Sequence, residues 1–213
     1  MDVRLECRGV AHRFAPGRGL DPVSFAFTGP GLVAVTGANG SGKRTLFRAL
    51  AGLLRPSHGS TEIAVAGKSY TMADRRFVTG WAAPDLQLYA ELTAGENLEF
   101  AAGALGLDAP AEAARRAAAE TALESRLDDR AGALSSGLRQ RLRLAFALLA
   151  DPPVLLLDEP GSHLDEAGFS TLTAILARRK TTARVLIATN DSREWSLADE
   201  RVALDPHDRR DPA

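Results

Sequence analysis

Leu32-Val33-Ala34-Val35-Thr36-Gly37-Ala38-Asn39-Gly40-Ser41-Gly42-Lys43 decides how the chain is read. The apolar run into Thr36 has the pattern of a strand buried on both faces. Gly37, Gly40 and Gly42 let the backbone curl so that successive N–H groups point at one anion. A helix is expected over 43–54, weakened by Gly52 and stopped by Pro56. Strand, glycine-rich loop and helix N-terminus in this order predict a phosphate-binding loop formed by Gly37, Ala38, Asn39, Gly40, Ser41, Gly42 and Lys43. The helix end adds partial positive charge, and Lys43 would reach the β- and γ-phosphates. A glycine-rich turn that only caps a helix is the competing reading. The strand context and the lysine weigh against it, because lysine occurs only at Lys43, Lys68 and Lys180 while the other 23 basic residues are arginine.

One position departs from that chemistry. After the lysine a Ser or Thr hydroxyl is expected as a Mg²⁺ ligand. The chain has Arg44 there, followed by Thr45. Arginine has no acceptor and cannot ligate a metal. Three outcomes stay open at this point. Thr45 or water substitutes; or magnesium binds weakly; or the guanidinium supplies part of the missing positive charge.

The flanking segments place the loop in a fold. Val3-Arg4-Leu5-Glu6-Cys7 and Val23-Ser24-Phe25-Ala26-Phe27 alternate with period two and predict strands. Further short strands are expected over 63–66 and 77–82. Thr93 and Glu96 form a capping box, which opens a helical, alanine-rich region over 93–130, broken at Asp108-Ala109-Pro110. A second helix is expected over 111–127 and a third over 138–150. The run Val154-Leu155-Leu156-Leu157 and the segment 184–189 read as buried strands, and 166–179 as a helix. Buried strands alternating with helices predict a parallel sheet covered by helices. The long helical stretch, about 85–150, reads as an insertion. The polar stretch 206–213 is expected to be disordered.

Composition narrows the classes of function. The 213 residues are 45% hydrophobic and 25% charged, with a net charge of −1. These values exclude a disordered chain. They give no support for nucleic acid as a partner. The single cysteine, Cys7, excludes a disulfide scaffold and suits the cytoplasm. Residues 1–13 carry too many charges for a secretory signal. No stretch approaches the roughly 18 apolar residues of a membrane span. A membrane role therefore requires a separate partner.

Two further motifs follow in order. Leu134-Ser135-Ser136-Gly137-Leu138-Arg139-Gln140-Arg141 is a polar loop opening a helix. Asp158 and Glu159 then end a buried strand, where Asp158 is placed to hold Mg²⁺ and Glu159 to polarise a water. Together with the phosphate loop, this series resembles the ATP-binding cassette (ABC) ATPases over about 3–204. The resemblance is closest to compact exporters such as the haem exporter of cytochrome c biogenesis. Leu134-Ser135-Ser136-Gly137 looks like the family signature, Asp158-Glu159-Pro160 like its Walker B carboxylates and Ser162-His163-Leu164-Asp165 like its D-loop. Phe14 falls where the family stacks an aromatic ring on adenine.

The resemblance implies an α/β fold over 1–205: a P-loop NTPase core, a small N-terminal antiparallel β-subdomain and an inserted helical subdomain. It implies ATP and Mg²⁺ as cofactors. It also implies a second cassette whose signature (Ser135, Ser136, Gly137) meets the γ-phosphate in trans, and a separate transmembrane subunit that holds this cytoplasmic chain peripherally on the cytoplasmic face of the cell membrane. Trp81, Leu86, Leu88 and Tyr89 fall near the groove through which such a subunit is driven; ordinary core packing is the equal alternative for each. Beside Arg44 there are two departures from the family pattern. Pro84 stands at the usual Q-loop glutamine, with Gln87 three residues on as a replacement. Asn190 stands at the usual H-loop histidine. Arg44 and Asn190 motivate an alternative, a cassette that binds nucleotide but hydrolyses it poorly. A soluble ABC protein outside transport is the other.

Overall fold

The computed structural model describes residues 2–15 and 18–204. The chain opens with three strands, β1 (Val3–Ala15), β2 (Arg18–Thr28) and β3 (Gly31–Thr36), followed by the helix α1 (Lys43–Leu50). Two strands then pair near the start, β4 (His58–Val65) and β5 (Lys68–Ser69), and β6 (Thr79–Ala82) follows. Three helices come next, α2 (Ala94–Ala104), α3 (Pro110–Glu120) and α4 (Ser136–Leu148). The remainder is β7 (Val154–Asp158), α5 (Glu166–Arg179), β8 (Arg184–Ala188), α6 (Ser192–Trp195) and β9 (Glu200–Ala203).

Two sheets result. The first is antiparallel in the order β2-β1-β4-β5. The second is parallel in the order β6-β7-β8-β3-β9. Every residue of β3, β7 and β8 is buried, so both faces of these strands need apolar cover. Side-chain alternation sends Val33, Val35, Leu156 and Leu186 into one core with α1 and the antiparallel sheet. Leu32, Ala34, Leu155, Leu157, Val185 and Ile187 face the other core, built with α2, α3, α4 and α5. The α/β, P-loop-type layering with an antiparallel β-sheet and a helical insertion is as expected.

The details differ at element ends for local reasons. The first helix stops at Leu50, not near residue 54. Gly52 turns the chain at φ 78°, and a Cβ there would lie 2.1 Å from the Met72 carbonyl oxygen. The second inserted helix ends at Glu120, where Thr121 and the left-handed Ala122 break the turn. The third starts at Ser136, because the Ser135 hydroxyl accepts from the Leu138 N–H and caps it. Phe77 belongs to a 3₁₀ turn before β6. The strand expected from Val3 continues to Ala15 through register shifts that let it serve both neighbours. The helix α6 and the edge strand β9 were not expected. The stretch 206–213 lies outside the described residues, and no helix of the described residues is long and apolar enough to cross a membrane.

Candidate nucleotide site

The parallel register brings three strand ends together. Val35 is paired with Ala188, and Ala188 with Asp158, so β3, β8 and β7 finish at one level. Ligand sites in open α/β sheets form beyond the carboxyl ends of strands. Here the phosphate loop follows β3, Glu159 follows β7 and Asn190 follows β8. The loop and Glu159 line a cleft of about 490 Å³ that also takes in Phe14, Arg18, Gly19, Arg44 and Thr45, and Asn190 is hydrogen-bonded to Lys43 and Asn39 of that lining.

The loop has the backbone its sequence requires. Gly37, Gly40 and Gly42 all have positive φ, and Gly42 is the N-cap of α1. A Cβ on Gly37 would sit 2.3 Å from the Leu204 carbonyl oxygen, so the loop is also pinned from outside. Lys43 is buried. Its ammonium donates to the carbonyls of Gly37 (2.5 Å) and Ala38 (3.2 Å) and to Oδ1 of Asn190 (3.1 Å). Burial lowers the Lys43 pKa below the usual lysine value, against the pull of Glu159 and Asp158. Asn190 also donates from Nδ2 to Oδ1 of Asn39 at 2.7 Å. The Ser41 hydroxyl is buried with no partner among the described residues.

The two carboxylates differ. Asp158 is buried, and its Oδ2 accepts a 2.6 Å hydrogen bond from Nε of Arg44. Burial raises the Asp158 carboxyl pKa, and the Arg44 bond and charge act against that rise. Glu159 is partly exposed and sits at φ 50°, a left-handed conformation that non-glycine residues seldom adopt. Its N–H is tied to the Ala188 carbonyl at 2.8 Å. Gln140 of α4 donates from Nε2 to the carbonyls of Glu159 (3.2 Å) and Pro160 (3.0 Å). Glu194 of α6 accepts from the Gly161 N–H at 2.9 Å. The strained turn is thus held from three sides.

Other expected site residues lie elsewhere. Ser135 and Ser136 are exposed at the start of α4, and neither they nor Gly137 line the cleft. Asp165 caps α5 by accepting from the Gly168 N–H at 2.8 Å, and it pairs with Arg141 at 3.2 Å. Gln87 does not line the cleft; it lines a separate groove of about 630 Å³ together with Trp81, Leu86, Tyr89 and Phe100. Leu88 packs on the helical core instead. Pro84 borders a small polar hollow with Ser136, Arg139 and His163.

Three contributors escaped the sequence reading. Arg18 reaches the cleft from the first position of β2, which no motif marks. Glu194 sits on a four-residue helix too short to show periodicity. Gln140 was visible in the signature stretch, but its contact with the turn after Asp158 is tertiary.

Comparison with known proteins agrees with this geometry. The ABC transporter family model matches residues 20–162. A probable anion import ATP-binding protein of Haloferax volcanii is 33% identical, covering 94% of this chain and 76% of its own. A putative ABC transporter ATP-binding protein of Halobacterium salinarum is 35% identical, covering 94% and 88%. A macrolide export ATP-binding/permease protein MacB of Paracoccus denitrificans is 36% identical over 94% of this chain, which spans only 33% of it. These relatives do not carry the finer likeness to a haem exporter. Among solved structures, a dimeric ATP-binding cassette in a post-hydrolysis state with ADP and Pi superposes with a TM-score of 0.84 at 21% identity, covering 95% of this chain and 96% of that one. The chain belongs to the ABC transporter family and is one of its ATP-binding cassettes.

Proposed function

We propose that the cleft at the ends of β3, β7 and β8 binds ATP, and that a second cassette completes the site. The observation that carries this reading is the separation of functional groups. The phosphate loop, Lys43 and Glu159 line one cleft, with Asn190 hydrogen-bonded to Lys43, while Ser135, Ser136 and Gly137 stand outside it. A signature that cannot reach its own cleft is suited to the cleft of a partner. Phe14 stands at the cleft as an exposed ring, available to stack on a base. Gly37 to Thr45 would hold the phosphates. Glu159 would accept a proton from the attacking water, and the Asn190 amide would donate to the terminal phosphate. Asp165 would act at the interface between cassettes.

ATP binding would draw the two cassettes together and hydrolysis would release them. A membrane-spanning subunit would take up that motion at the groove lined by Trp81, Leu86, Gln87 and Tyr89. In this reading the cassette works on the cytoplasmic face of the membrane. In this reading Gln87 acts from the groove side and not as a direct phosphate or water ligand. Support for transport comes from the import and export functions named for the relatives. The observed pairing of Asp158 with Arg44 favours a second reading, in which this cassette binds nucleotide but turns it over slowly.

Mg²⁺ is the metal the family implies, and the residues present do not fit it well. The hydroxyl ligand is replaced by Arg44, and the expected metal carboxylate, Asp158, already holds that guanidinium. Among the described residues no group of three or more His, Cys, Asp or Glu side chains could hold a metal ion.

The test is ATP turnover and nucleotide-dependent self-association of the full chain, read by phosphate release and light scattering. Wild-type turnover that disappears in Glu159→Gln, with an ATP-dependent dimer, supports a hydrolytic cassette. Nucleotide binding with no turnover above the Glu159→Gln level supports the slow cassette.

A further inference from the structure

Arg44 is positioned to serve as the cation of this site. Its Nε is 2.6 Å from Oδ2 of Asp158, a carboxylate only 3% exposed. A buried carboxylate needs a counter-charge, and a guanidinium cannot be titrated away. The Arg44 side chain is 43% exposed and lines the same cleft as Lys43. Among the described residues only its Nε has a protein partner, so both Nη groups can donate into the cleft. A planar fork of N–H donors matches two phosphate oxygens at once. Asp158 fixes that fork and removes much of the rotamer entropy a free arginine would lose on binding.

A divalent ion would compete on poor terms. On the free oxygen of Asp158 it would sit within roughly 5 Å of the guanidinium, with like charges in a partly desolvated cleft. Thr45 also lines the cleft but lies a helical step further round α1. Lys43 and Arg44 already face Asp158 and Glu159, so charge in the cleft is balanced before nucleotide enters, and Arg18 adds a cation at its edge.

We propose that this cassette binds nucleoside triphosphate without a divalent cation, with the Arg44 guanidinium, held on Asp158, contacting the terminal phosphates in place of the metal. The proposal rests on the nucleotide reading of the cleft given above.

The experiment is calorimetric titration of the full chain with AMP-PNP, once in EDTA and once in excess Mg²⁺. For wild type, the dissociation constant is expected to change less than about threefold between the two buffers. Arg44→Ser is expected to bind at least about tenfold more weakly than wild type in EDTA and to recover with Mg²⁺. Arg44→Lys keeps a charge beside Asp158 but loses the fork, and should fall between them. Loss of about tenfold or more by wild type in EDTA overturns the proposal and leaves the nucleotide reading intact. Equal binding by Arg44→Ser and wild type in EDTA also overturns it. Absence of binding in both buffers overturns the nucleotide reading itself. If Arg44→Ser is unfolded by circular dichroism, the two wild-type titrations and Arg44→Lys decide the question.

Discussion

Asn190 joins the end of β8 to the phosphate loop: its Oδ1 accepts from the Lys43 ammonium at 3.1 Å, and its Nδ2 donates to Asn39 at 2.7 Å. The two residues are 147 positions apart in the chain. An amide can serve both contacts because it carries a donor and an acceptor in one rigid group. Asn190→Asp would keep the shape and the acceptor but place a carboxylate where the phosphates arrive. Nucleotide binding should weaken by about tenfold or more in Asn190→Asp, and only a few-fold in Asn190→Ala. Titration calorimetry checks the order; Asn190→Asp binding as well as wild type would refute it.

Glu159 combines strain with chemistry. Its φ of 50° is left-handed, a conformation that glycine adopts without the Cβ penalty. Glu159→Gly should raise thermal stability by up to about 1 kcal/mol while removing the proton acceptor. Glu159→Gln keeps the strain and should leave the melting temperature unchanged. Both should lower ATP turnover by about a hundredfold or more if Glu159 is the general base. Scanning calorimetry and phosphate release separate the two effects.

Cys7 makes alkaline stability a test of the core. The thiol is 2% exposed, and burial pushes its pKa from 9.0 up to about 12, with Arg75 pulling the other way. Between those values the unfolded chain has released the proton and the folded chain has kept it. The unfolded state then binds fewer protons, so stability falls as pH rises. The contribution is intact below pH 9.0, is lost progressively up to about 12, and has a slope approaching ~1.4 kcal/mol per pH unit. Cys7→Val lacks the group. Wild type should lose stability to urea faster than Cys7→Val above pH 9.0, and parallel curves would contradict the assignment.

Asn97 holds the loop that leads into the helical insertion. It is buried, accepts from the Tyr89 N–H at 2.9 Å, and donates to the carbonyls of Tyr89 (3.0 Å) and Thr93 (2.9 Å). Asn97→Leu would strand those backbone groups away from water. A loss of about 2–3 kcal/mol is expected. Hydrogen exchange should show the loss of protection concentrated at Tyr89, which a general destabilisation would not produce.

The sequence by itself determined the scaffold of the site. A strand covered on both faces is mostly an apolar run, so β3, β7 and β8 were visible one at a time. Gly37, Gly40 and Gly42 were readable because the loop conformation excludes other residues locally. The span of α5 was predicted at both ends, since Asp165 caps it and Lys180 follows its last turn. The edge strand β9 is four residues of mixed exposure, with no period long enough to detect. Tertiary structure alone decided which groups meet. The sequence left Arg44 with three possible roles; its pairing with Asp158, 114 positions away, identified its partner. The same holds for Asn190 on Lys43, Gln140 on the turn after Asp158, and Gln87 facing the groove instead of the cleft. Backbone conformation is governed by neighbours along the chain, and those leave a periodic trace. The direction of a charged side chain is governed by the groups that the fold brings opposite it.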